Sequence, residues 1–121
     1  MIKIAFIALL LGVPVFAQPV VAQQPEKTWE ISESGSKVTE KNTVFWKYSW
    51  RVVIRNFGYE TIVVQTTVEF QDSQGYIIDE GTSRPTRVLA QDYAEITGTT
   101  LVKTDAAPNI TQTSTKARQV Q

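Results

Sequence analysis

The stretch TVFWKYSWRVVIRN, Thr43 to Asn56, decides the fold. Val44, Trp46, Tyr48, Trp50, Val52 and Ile54 fall on even positions, whereas Thr43, Lys47, Ser49, Arg51 and Arg55 fall on odd ones. Side chains on a β-strand alternate between its two faces, so this period of two predicts a long strand with one apolar face turned inward and one polar face turned to water. Asn56-Phe57-Gly58 follows as a predicted turn, because asparagine and glycine tolerate the left-handed backbone that reverses a chain.

The pattern repeats at once. Ile62, Val64, Thr66, Val68 and Phe70 share one face and Thr61, Gln65, Thr67, Glu69 and Gln71 the other, and the two long strands are expected to pair antiparallel. Asp72-Ser73-Gln74-Gly75 reads as a turn in which Asp72 accepts backbone hydrogen bonds and Gly75 takes positive φ. Tyr76-Ile77-Ile78 resumes a short strand and closes a hairpin. From Asp79 to Pro85 the composition shifts to polar and turn-forming residues, which predicts a longer connection crossing between sheets.

Thr86 to Leu89 forms a further short strand, Ala90-Gln91-Asp92 a turn, and Tyr93 to Lys103 an extended segment with Gly98 as a bulge or kink. After a break at Asp105 to Asn109, Ile110 to Val120 supplies a last, threonine-rich strand. Upstream, Thr28 to Glu33 is an edge-like strand, followed by a Gly35-Ser36 turn and Val38. About seven short strands separated by turn signals, with no helical periodicity, predict an all-β antiparallel sandwich, with a small barrel as the alternative.

Residues 1–22 have a different character. Lys3 precedes an apolar run from Ile4 to Leu11 that continues through Val13, Val15 and Phe16, the n-region and h-region of a secretory signal peptide. Small or β-branched residues at Val15 and Ala17, and again at Val20 and Ala22, place cleavage after residue 17 or 22. Pro14 and Pro19 interrupt a run already short of the roughly 20 residues a membrane span requires, so no stable membrane insertion is expected after cleavage. Residues 23–27 form a polar tether, and residues 28–121 the domain. The expected location is secreted or periplasmic.

Composition narrows function by exclusion. Lysine plus arginine and aspartate plus glutamate both number 12, and the cations are dispersed, so there is no electrostatic footprint for nucleic acid. Histidine and cysteine are both absent. That removes most zinc sites, the Ser-His-Asp and Cys-His arrangements, and the commonest general base. No acid pair stands at a spacing that forces convergence for glycoside hydrolysis. Asp72, Asp79 and Glu80 offer oxygen ligands without a calcium-binding ladder, and Asp72 already has a role in its turn. No enzyme, metal or cofactor is expected.

The segment from Trp50 to Leu101 resembles the immunoglobulin-like envelope domains named FxLYD. The elements that carry the likeness are Val52-Val53-Ile54-Arg55-Asn56, then Val68-Glu69-Phe70-Gln71-Asp72, Gly75 and Leu89. Within the motif itself Val68, Phe70 and Gln71 stand where Phe, Leu and Tyr would, and Asp72 is identical. The resemblance implies an extracytoplasmic immunoglobulin-like fold with a binding or accessory role, and it brings no catalytic residues.

Aromatic residues are the remaining candidates. Trp46, Tyr48 and Trp50 on one strand face offer a stacking platform for sugars or peptides, but the parity they share with Val52 and Ile54 favours packing in the core. Phe45, Phe57 and Tyr59 fall off that stripe or in the turn, and exposed rings at the end of a sandwich are good binding elements. They are the candidate ligand-binding residues, for a protein or polysaccharide partner, with Asn56, Asp72 and Gly75 as structural turn residues. The alternative function is a structural component that oligomerises by edge-strand pairing through the threonine-rich last strand.

Overall fold

The computed structural model describes residues 27–120. The leader, its cleavage sites and the tether up to residue 26 lie outside the described residues. Seven strands follow in order: β1 (Trp29–Lys41), β2 (Phe45–Asn56), β3 (Ile62–Gln71), β4 (Ile77–Thr82), β5 (Thr86–Val88), β6 (Asp92–Lys103) and β7 (Gln112–Val120), with a 3-10 turn at Ala107–Asn109 before the last. One sheet has the order β1-β2-β6, and the other is built on β3, with β4 and β5 on one side and β7 on the other. All pairings are antiparallel. The fold is therefore an all-β sandwich of seven strands, with the three-plus-four division seen in constant-type immunoglobulin domains.

Two apolar stripes drive this arrangement. Tyr48, Trp50, Val52 and Ile54 of β2 and Ile62, Val64, Val68 and Phe70 of β3 are all buried in one cluster. The rings of Tyr48 and Phe70 meet across the sheets at 4.8 Å, tilted by 50°. Contrary to the expectation from sequence, β2 and β3 do not pair with each other. Side-by-side pairing would have laid both stripes on the same face with nothing to cover them, whereas stacking the strands in opposite sheets lets each bury the other.

Three further expectations are corrected. The Gly35-Ser36 pair is not a turn: β1 runs unbroken to Lys41, with bulges at Ile31/Glu33 and Val38/Glu40, because Gly35 and Ser36 stay in register with Arg51 and Trp50. Asp79 to Pro85 does not cross between sheets. Its first part belongs to β4, and β4 and β5 are one edge strand interrupted at Arg84-Pro85, both pairing with β3. Ser83 bridges the gap, its N–H donating to the Thr66 carbonyl at 2.8 Å and its hydroxyl accepting from the Thr66 N–H at 3.0 Å. Val44 is not part of the buried stripe. It is 71% exposed, because the Asn42 side chain accepts from the Val44 and Phe45 N–H groups and holds Val44 in the β1–β2 turn.

Gly98 makes no bulge, since β6 stays in regular register with β2 from end to end. Its role is close approach. A Cβ on Gly98 would lie 2.3 Å from Cζ2 of Trp50, and one on Gly81 in the facing sheet would lie 2.7 Å from Nε1 of the same indole. Trp50 thus lies flat between two glycines from opposite sheets, and its Nε1 donates to the Thr100 hydroxyl at 3.1 Å. The β3–β4 turn forms as expected: Asp72 Oδ1 accepts from the N–H groups of Gln74 and Tyr76, and Gly75 has φ of +88°.

Candidate functional site

β2 ends and β3 begins at the same pole of the sandwich as the β5–β6 turn, and a buried side chain ties these segments together. Asn56, 1% exposed, donates from Nδ2 to the carbonyls of Glu60 at 2.8 Å, Val88 at 3.1 Å and Leu89 at 3.2 Å, and its Oδ1 accepts from the Gly58 N–H at 2.9 Å. A second tie comes from Gln91, whose side chain donates to the Phe57 and Gly58 carbonyls while its own N–H donates to Gly58. Gln91 adopts φ of +59°, and these three bonds hold that left-handed backbone. Asn56 itself does not use the left-handed conformation expected of it. It is the last residue of a strand and works through its amide.

Onto this cross-tied frame the chain places Phe57, Tyr59, Leu89 and Tyr93, all exposed, with Tyr59 at 88%. Phe57 lies in the connection just after Asn56, and Tyr93 stands opposite Arg55 on the outer face of the first sheet. Two of the rings named from sequence, Phe57 and Tyr59, are therefore brought to one pole. Phe45 is not: it pairs with Lys103 at the opposite end of β2, about 40 Å away at the rise of an extended strand, and is half-buried. Leu89 and Tyr93 were not picked out by sequence, although the odd parity that Tyr93 shares with Glu95, Thr97 and Thr99 was a usable signal for an outward ring.

The outer face of the first sheet carries a groove of about 580 Å³, away from this pole. Gly35, Ser49, Thr97 and Thr99 form its floor, with Arg51 and Lys37 at its sides. The two bulges of β1 bracket this stretch. Arg51 bonds both Glu33 and Glu95. These bonds raise the guanidinium pKa above its already high ordinary value, the Glu95 bond first. Glu33 and Glu95 are the cross-strand neighbours of Val53, so the guanidinium spans that row. This accounts for Val53 being buried on the water-facing side of its sheet. Both acids beside the groove are thereby engaged in an ion-pair network. Among the described residues no group of three or more acidic, histidine or cysteine side chains converges.

No protein-family profile matches the chain, and no curated protein matches it. Solved structures do resemble its fold. A calcium-binding mutant of β-glucuronidase 2 from Bacteroides uniformis superposes with a TM-score of 0.58 and 13% identity, over 71% of this chain and 11% of that one. A β-glucuronidase from glycoside hydrolase family 2 gives 0.53 and 10%, over 58% of this chain and 7% of the other. The matching portions are β-sandwich domains of these much longer enzymes. At such identities the likeness establishes the sandwich and nothing finer.

Proposed function

We propose that the chain is a non-catalytic binding or accessory module, exported from the cytoplasm, that holds a protein or polymer partner against the pole formed by Phe57, Tyr59, Leu89 and Tyr93. The observation that carries this reading is a group of exposed apolar side chains on two turns locked to each other by buried amide hydrogen bonds. A backbone fixed in this way loses little conformational freedom on binding, which is where flexible loops spend affinity. The signal-like pattern of residues 1–22 supports export. The absence of histidine and cysteine from the sequence supports a role without acid–base or nucleophilic chemistry. Glycan polymers are the first ligand class to try, because sandwiches of this kind occur within glycosidases.

The test is affinity gel electrophoresis of the purified protein against a panel of soluble polysaccharides, with Tyr59→Ala and Phe57→Ala alongside. Retardation by one polymer, reduced at least ~10-fold in affinity in either variant, is expected. Retardation that survives both substitutions overturns the assignment of this pole. The absence of retardation by every polymer removes glycans and leaves a protein partner.

A further inference from the structure

A sandwich of two open sheets has exposed edges, and exposed edges invite pairing with other chains unless the sequence blunts them. Three edges here are blunted. β1 carries two bulges together with Glu30, Glu33, Lys37 and Lys41. The β4/β5 edge is broken at Pro85 and flanked by Arg84 and Arg87. β7 carries Lys116 and Arg118, which reach back to Glu69 and Gln65 of β3.

β6 is blunted least: it carries Asp92, Glu95 and Lys103 but has no bulge, and its charges leave a long uncharged run. It pairs with β2 on one side only, among the described residues, in register without a bulge from Asp92 to Lys103. It contains no proline and, from Ile96 to Val102, no charge. The facing sheet approaches it at the corner Thr82 to Arg84, leaving a cleft of about 390 Å³ beside Glu95 to Thr99.

The side chains of β6 also select an occupant. On its outer face Tyr93 and Leu101 are exposed, at 66% and 55%, and they lie at equal distances before and after Thr97. A twofold axis through Thr97 keeps the faces of the sheet continuous and sets Tyr93 opposite Leu101 of the partner subunit, twice over. Glu95 then faces Thr99 and no like charges meet. A self-complementary patch of this kind is what an isologous interface requires, and aromatic–aliphatic cross-strand pairs stabilise a sheet directly. We propose that the chain forms a symmetric dimer by antiparallel pairing of β6 with β6 of a second copy about Thr97, joining the two three-stranded sheets into one of six strands. The edge expected from sequence to pair was the threonine-rich β7, but Lys116 and Arg118 break it mid-strand, whereas β6 is uncharged from Ile96 to Val102. The proposal shares Tyr93 with the aromatic pole but does not rest on the function assigned to it, since Phe57, Tyr59 and Leu89 lie outside β6.

Sedimentation equilibrium of the purified protein tests it. The wild type is expected to be a dimer at micromolar concentration. Thr97 is exposed, so Thr97→Lys leaves the fold intact by circular dichroism, yet it sets two like charges face to face on the axis. The dimer Kd should rise about 100-fold. The chain has no cysteine, so Thr97→Cys and Thr113→Cys report register by oxidative crosslinking, and only the first should give a covalent dimer. A wild type that stays monomeric to about 1 mM, below even the weakest affinities of specific complexes, overturns the proposal. So does a dimer indifferent to Thr97→Lys, or one that crosslinks through position 113 on β7.

Discussion

Replacing Asn56 by alanine removes an amide that serves four backbone groups at once. Its two amide hydrogens are shared among the carbonyls of Glu60, Val88 and Leu89, and its oxygen takes the Gly58 N–H. Each group left buried without a partner costs about 1–3 kcal/mol. Water entering the loosened turns recovers part of this, which leaves a net loss of about 3–5 kcal/mol. Domains of this size have about 5–15 kcal/mol in total, so the variant forfeits a large share of its stability. With a urea slope near 1–3 kcal/mol per molar, the denaturation midpoint should fall by about 2 M. Asn56→Asp sharpens the test. It keeps the acceptor for Gly58 but turns a carboxylate oxygen toward three carbonyls, and it should be no more stable than alanine at neutral pH. Acidification should restore part of the loss, because a protonated carboxyl can donate once. The assay is urea unfolding followed by tryptophan fluorescence, with Trp29 and Trp50 as buried reporters. An alanine variant within about 1 kcal/mol of wild type refutes the view that this amide holds the two turns together.

Other outcomes follow from the same contacts. The Thr66 hydroxyl is buried without a hydrogen-bond partner; Thr66→Val keeps the branched shape and should stabilise the protein by about 1 kcal/mol in the same unfolding assay. Gly98→Ala drives a methyl into the Trp50 ring and should cost about 1–3 kcal/mol, with altered Trp50 emission. Burial raises the pKa of Tyr48, so the neutral form is favoured in the folded protein. The unfolded chain ionises near pH 10, and this contribution to stability is complete below that pH and declines as pH rises toward the higher folded value. Tyr48→Phe should therefore flatten the loss of stability above about pH 10 in alkaline titrations of the unfolding midpoint.

Parity carried much of this architecture, because it is a local property of a strand. The alternation from Tyr48 to Ile54 and from Ile62 to Phe70 correctly assigned core residues, though Trp46 is only partly buried and Glu69, expected on the water face, is buried, and Asp72 with Gly75 correctly marked a turn whose hydrogen bonds are local. Failures occurred where the deciding contact is distant in sequence. Nothing near Ile62 says that β3 lies across from β2 instead of beside it; that follows from burying two stripes together. Gly98 looked like a kink because its reason, the Trp50 indole, sits on another strand. Gly35 looked like a turn because an edge strand exposed on both faces has no apolar rhythm to betray it. At the candidate site the rings of Phe57 and Tyr59 were legible as off-pattern aromatics. Leu89 joined them only through Asn56, a contact spanning more than thirty residues.

The crossing from β2 to β3 also explains why the rings of that pole are available for binding. Stacked sheets lie about 10 Å apart, and the connection from Phe57 to Thr61 must span that gap while keeping its backbone hydrogen-bonded. The Asn56 amide and Gln91 meet this need from within, and Trp29, Ile54, Ile62 and Val88 already fill the core. Phe57 and Tyr59 therefore have no interior place to occupy, and aromatic residues there contribute little that the fold requires. Tyr59→Ser should change stability by no more than about 0.5 kcal/mol in urea unfolding, the range of surface positions, and Phe57→Ser, whose ring is more than half covered, by about 1 kcal/mol. A loss above about 2 kcal/mol in either would make the rings part of the packing and remove the ground for reading this pole as a binding surface.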